Sequence, residues 1–117
     1  DLERYPWPVE SESVLQAFAG HVVARINPAR YGFIGWMNEV HRLLVPGGEL
    51  IVVTYYGMNQ RYQADPAACN PVTEGTFYHF DPEHKSGLWL RYQPEPWQIR
   101  DMRWDCAGNI EVLLGKR

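Results

Sequence analysis

The sequence predicts an α/β fold on a mixed sheet, and three observations carry that prediction. An apolar stripe at helical spacing runs from Phe33 to Leu44, a Pro46-Gly47-Gly48 turn stops it, and the continuously apolar, β-branched run Leu50 to Tyr56 comes next. Two further β-prone runs, Trp97 to Trp104 and Ile110 to Leu114, flank Cys106-Ala107-Gly108-Asn109, a hairpin signal. The length, 117 residues, fits one domain.

Each element has its own local cause. Tyr5-Pro6-Trp7-Pro8 is an ordered loop, because each proline fixes its own backbone and pushes the residue before it towards extended geometry. Val14 to Ala19, bounded by Gly20, reads as a strand or a short helix by periodicity alone. Asn27-Pro28 is a helix start, with Asn as cap and Pro at the first helical position. Phe33, Trp36, Met37, Val40, Leu43 and Leu44 then form the stripe, with Glu39, His41 and Arg42 mostly off it and Glu39 and Arg42 spaced for a helix-surface ion pair. The strand Leu50 to Tyr56 reads as buried on both faces, which implies a βαβ crossover from a parallel strand. Val14 to Ala19 supplies that strand.

Gly57 to Pro71 is polar and irregular, with Tyr55, Tyr56 and Tyr62 around its entrance, at the carboxyl end of a strand where open α/β sheets bind ligands. Thr76 to Tyr92 is aromatic-rich without a clean period; Phe77, Tyr78, Phe80, Trp89 and Tyr92 read as packing residues on a short helix or covering loop. Pro94-Glu95-Pro96 breaks the chain before the hairpin.

Hydrophobic residues make up 45% and charged residues 21%, a globular composition. The 14% aromatic share, with five Trp and seven Tyr, points to a thick aromatic core or to a surface holding something planar. A formal charge of -3, without a basic stripe, disfavours nucleic acid as a partner. No apolar run approaches the roughly 18 residues of a membrane helix, so no membrane partner is expected either. Cys69 and Cys106 stand apart without a disulfide or zinc spacing, which fits a cytoplasmic protein. His21, His41, His79 and His84 are scattered, so no metal site is signalled. No nucleophile elbow or glycine-rich phosphate loop appears, and no catalytic residue can be named. His21 comes directly after the first strand at the sheet end, where it serves a pocket or only the local structure.

The order of these parts is itself informative. Asp1-Leu2-Glu3, Tyr5-Pro6-Trp7-Pro8, Ser13-Val14, Gly20-His21-Val22 and the run Asn38-Glu39-Val40-His41-Arg42-Leu43-Leu44-Val45-Pro46-Gly47-Gly48-Glu49-Leu50 together resemble the second half of a class I S-adenosylmethionine-dependent methyltransferase of the type 11 kind. The likeness spans Asp1 to Tyr56 and continues more loosely through Asp81-Pro82, Pro96-Trp97 and Gly108-Asn109. It implies a three-layer, Rossmann-like half-sheet, mixed, with a C-terminal antiparallel β-hairpin. In the family order 3-2-1-4-5-7-6 the chain would supply strands four to seven of one partial domain spanning residues 1–117, and the cofactor-binding N-terminal half would be missing. The cofactor implied is S-adenosylmethionine, with Asp1 and Leu2 on its adenine side and Gly20 and His21 near its methyl group. His21, Tyr55, Tyr56 and Tyr62 would line the substrate pocket for a small-molecule methyl acceptor. The glycine-rich loop and ribose-binding acid of the family have no counterpart here, so the isolated chain is expected to be inactive. The alternative is a non-catalytic interaction or oligomerisation module of the same fold. An apolar fourth strand without its neighbour is an assembly edge, so a homodimer or swapped assembly along Val14–Val22 is expected, or else pairing with the missing first half. A chain that opens on Asp1 and runs at once into motif-like sequence also reads as a piece of a longer one.

Overall fold

The computed structural model describes residues 4–117. Among them, β1 (Val14–Gly20), β2 (Leu44–Tyr55), β3 (Trp97–Trp104) and β4 (Asn109–Lys116) form one mixed sheet in the order β1-β2-β4-β3. β1 runs parallel to β2, and β4 is antiparallel to both of its neighbours. This is the 4-5-7-6 order that the resemblance implies. The crossover from β1 to β2 is α1 (Gly32–Leu43), and short helices α2 (Gln60–Ala64), α3 (Glu74–Tyr78) and α4 (Trp89–Tyr92) punctuate the long connection from β2 to β3.

Two boundaries differ from the sequence expectation. The helix does not start at Asn27-Pro28. The Asn27 side chain accepts from the Ala29 amide at 2.9 Å, just before a 3₁₀ turn, Ala29–Tyr31, whose N-cap is Pro28. Arg30 and Tyr31 then both turn left-handed, with φ of 55° and 59°, which interrupts a right-handed helix until Gly32. Glycine is required there by space, because a Cβ would collide with the Asn27 carbonyl oxygen. At the other end the helix stops at Leu43, and Pro46-Gly47-Gly48 lies inside β2 as an irregularity. Opposite it the register jumps from Val14↔Leu44 to Gln16↔Glu49, so β2 makes a detour that Gly47, at φ 78°, permits.

One face of the sheet holds the core. Phe33, Trp36, Met37 and Val40 of α1 pack on Ala19, Leu50, Val52, Ile110, Val112 and Leu114, and the 57–96 connection adds Val72, Phe77 and Phe80. β2 is not buried on both faces as its sequence suggests. Leu50, Val52 and Thr54 are buried, whereas Ile51, Val53 and Tyr55 on the alternate face are only half-buried, since no described element lies over them. Phe18 of β1 shares that open face through its pairing with Ile51 and is 69% exposed.

The polar side of α1 is also more enclosed than its spacing suggests, for Glu39 and His41 are both buried. Glu39 accepts from the Trp7 amide at 3.2 Å and from Arg42, so the expected ion pair is real but half internal. His41 Nε2 bonds the Pro96 carbonyl at 3.0 Å, and its ring meets the edge of Trp97 at 5.2 Å. Burial, aided by the Lys116 charge, pushes the His41 pKa below the ordinary imidazole value, against the pull of Glu95 and the Pro96 and Arg117 backbone. The unfolded chain therefore takes up this proton more readily than the folded one. Its contribution to stability is complete above about pH 6.5 and is lost as the pH falls through the lower, folded pKa. Urea midpoints are expected to drop between neutral and mildly acidic pH, and His41→Gln to flatten that limb. An unchanged slope in the variant would rule out this assignment.

Candidate functional site

Parallel strands β1 and β2 end side by side, and the residues just beyond the two ends build the candidate site. β1 ends at Gly20, and His21 turns sharply at φ 58° while its amide donates to the Val53 carbonyl at 2.7 Å. That bond holds an exposed imidazole against the end of β2, where its ring lies 4.9 Å from the Tyr55 ring, tilted by 50°. Non-glycine residues in this region of backbone space are uncommon and cluster at functional sites. Gly20 sits beneath, and a Cβ there would press on the Phe18 ring at 2.8 Å.

The four residues assigned to a substrate pocket do not all converge. His21 and Tyr55 meet. Tyr56, one residue on, points to the covered face as strand alternation requires; it packs against the core, and its hydroxyl donates to Glu74 at 2.9 Å and 3.1 Å from the two carboxylate oxygens. That hydrogen bond, then burial and the Glu74 charge, raises the Tyr56 pKa above the ordinary phenol value, so the phenol stays a donor. Tyr62 lies apart on α2, its own pKa raised by burial first and by Cys69 second. Asp1 and Leu2, the expected adenine-side residues, lie outside the described residues.

Glu74, which the sequence did not single out, is the residue that Tyr56 contacts beside the candidate site. Its place is fixed by a capping box, in which the Thr73 amide donates to Thr76 Oγ1 at 3.0 Å. Thr73-x-x-Thr76 is a weak form of that signal, and only the parallel bridge Tyr56↔Val72 brings the helix start back to β2. Beside Tyr56, at the hairpin end of the sheet, Met58, Asn59, Trp104 and Asn109 frame a shallow pocket of about 340 Å³. The hairpin turn is tied by Asp105, which accepts from the Ala107 and Asn109 amides at 2.9 and 3.0 Å.

Among the described residues no three His, Cys, Asp or Glu side chains gather as metal ligands, both cysteines are free and exposed, and no helix is long and apolar enough to cross a membrane. The residues at the sheet end could hold S-adenosylmethionine only in part. The His21 and Tyr55 rings offer an aromatic rim, but among the described residues neither a glycine-rich loop nor a carboxylate for the ribose hydroxyls is present there.

No protein-family model and no curated protein matches the sequence. The fold, in contrast, has clear counterparts. An S-adenosylmethionine-dependent methyltransferase from Mesorhizobium loti superposes with a TM-score of 0.68 at 14% identity, over 99% of this chain and 67% of its own. The [4+2]-cyclase SpnF matches with a TM-score of 0.61 at 12% identity, over 99% of this chain and 53% of its own. A methyltransferase from Methanosarcina mazei matches with a TM-score of 0.57 at 12% identity, over 95% of this chain and 63% of its own. The chain thus has the fold of S-adenosylmethionine-dependent methyltransferases. It spans between about half and two thirds of the length of these neighbours.

Proposed function

We propose that the chain forms the acceptor side of an S-adenosylmethionine-dependent methyltransferase site for a small molecule, working in the cytoplasm, inactive alone and completed by a segment that binds the donor. The observation that carries this reading is the His21–Tyr55 pair at the paired ends of β1 and β2, 4.9 Å ring to ring, on a sheet with the methyltransferase strand order. Ligands of open α/β sheets sit at that end. Within the reading, the left-handed turn at His21 presents the imidazole to the acceptor, and Tyr55 supports it as a wall. Gly20 leaves backbone accessible beside the donor's reacting end, and Asp1 and Leu2 belong to its adenine side. The rest of the donor, its ribose above all, needs groups that the described residues do not supply.

A second reading, a non-catalytic module that assembles through β1, is favoured by one feature. Val14–Gly20 carries no charge or proline to blunt its free edge, and Leu15 and Phe18 are 77% and 69% exposed. A second copy suits this edge, since two identical uncharged strands, extended to Val22, meet about a two-fold axis without like-charge repulsion. The fold also hosts more than one chemistry, as the cyclase SpnF illustrates.

Calorimetric titration with S-adenosylmethionine, with light scattering on the same sample, separates the readings. The first expects this chain to hold only the donor's reacting end, with weak binding nearer millimolar than micromolar that His21→Ala weakens further by about tenfold. Absence of binding from a stable dimer supports the second. A monodisperse monomer whose β1 amides exchange slowly would sink the assembly reading.

A further inference from the structure

Away from the His21–Tyr55 rim, a separate open pocket of about 540 Å³ lies between the start of α1 and the 57–96 connection. Its size suits a small organic ligand. Phe33 forms part of its wall, the rings of Tyr31 and Tyr92 meet edge to face at 5.8 Å, and His79, also in the wall, lies 5.6 Å from Tyr92.

Three independent features mark it as a built site. The first is backbone strain. Arg30, Tyr31 and Gln93 adopt left-handed φ of 55°, 59° and 50° without being glycine. Arg30 and Tyr31 line the pocket, and Gln93 is the residue directly after its Tyr92. Such conformations persist only where their surroundings hold them, and they gather at binding sites.

The second feature is charge. Arg30 is exposed on the pocket rim, and among the described residues no carboxylate pairs with it. No acidic residue among those described lines the pocket. The third is unused hydrogen-bonding capacity. Asn70 is 5% exposed and donates from Nδ2 to the Val23 carbonyl at 3.0 Å, which leaves its Oδ1 without a partner among the described residues. Asn70 Oδ1 is thus left to accept from a ligand, and His79 Nδ1 is buried without a partner among the described residues. Buried polar groups are nearly always satisfied, so His79 Nδ1 calls for an explanation.

We propose that this pocket binds a planar aromatic carboxylate. Its ring packs against Tyr31 and Tyr92, its acid group pairs with the Arg30 guanidinium, and a ring hydroxyl or amino group donates to Asn70 Oδ1. Guanidinium and carboxylate match in charge and in planar geometry, and aromatic walls favour a flat ring over an aliphatic one. The site shares no residue with His21, Tyr55, Tyr56 or Tyr62, so it stands or falls independently of donor binding.

The test is calorimetric titration of the whole chain with 2-naphthoate and with its neutral analogue 2-naphthamide. The expected result is saturable binding of the acid, with the amide weaker by about tenfold or more. Arg30→Gln is expected to erase that preference while far-ultraviolet dichroism and the unfolding midpoint stay unchanged, since the Arg30 side chain bonds to nothing among the described residues. Tyr92→Ala should weaken both ligands. The proposal is overturned if naphthoate gives no binding at millimolar concentration, if acid and amide bind equally, or if Arg30→Gln keeps the preference.

Discussion

Trp97→Ala is expected to be the most damaging single substitution in this chain, costing about 3–5 kcal/mol. The ring is fully buried and stands edge-on to His41, where β3 meets the C-terminal end of α1. Its backbone ties together parts distant in sequence: the amide donates to the Phe80 carbonyl at 2.8 Å, and the carbonyl accepts from Arg117 Nε at 2.9 Å. Truncation to alanine leaves a cavity that these fixed neighbours fill poorly. A domain of this size has about 5–15 kcal/mol in total, so the variant should be marginal in urea unfolding. Trp97→Phe should cost much less, because it keeps most of the packing and removes a buried indole N–H that finds no acceptor among the described residues. Equal losses from the two variants would show that the ring's bulk is not what matters.

The second large effect is expected at Arg42. Its guanidinium donates to Glu39 and reaches the Val9 carbonyl and Ser11 hydroxyl, each at 3.0 Å, and the Trp7 carbonyl at 3.2 Å. One side chain thereby straps the segment before β1 onto α1. Arg42→Ala leaves the Glu39 carboxylate buried with only the Trp7 amide, and breaking such a pair costs about 3 kcal/mol at the low end of its range. Glu39→Ala should be milder, since the Arg42 side chain is 29% exposed and still reaches water. Arg42→Lys should not rescue the loss, because a single ammonium cannot span acceptors arranged around a planar fork. Hydrogen exchange over residues 7–13 reads the strap directly. Amides there that stay protected in Arg42→Ala would refute it.

How far the sequence alone reached depends on the range of the interactions involved. The βαβ crossover and the hairpin were legible because helical stripe, β-branched run and Gly108-Asn109 turn are each local signals. The meeting of His21 and Tyr55 was legible because each sits at the end of a recognisable strand, and strand ends of one parallel sheet fall together. The helix start was misplaced because Asn27-Pro28 satisfies the capping pattern, while the decisive crowding at Gly32 comes from the folded turn. Glu39 and His41 look solvent-facing from their spacing; Trp7 and Pro96, far away in sequence, cover them. Glu74, Arg30 and Asn70 gave no local sign, because their surroundings form only when the 57–96 connection folds back on the sheet.

That connection has a consequence for engineering. Its first part is anchored by the Gly57 amide on the Val72 carbonyl at 2.8 Å and by Cys69 and Asn70 on Ala24; its far end is anchored by Trp97 on Phe80 and by Asp81 on the Ile99 amide at 3.0 Å. The stretch 82–94 leaves and re-enters at points the scaffold already holds. Lengthening a loop between fixed ends adds only a slowly growing entropy. Residues 82–94 thus form an exchangeable cassette, in which new sequences can be grafted to reshape what the molecule recognises while the strands beneath keep their register.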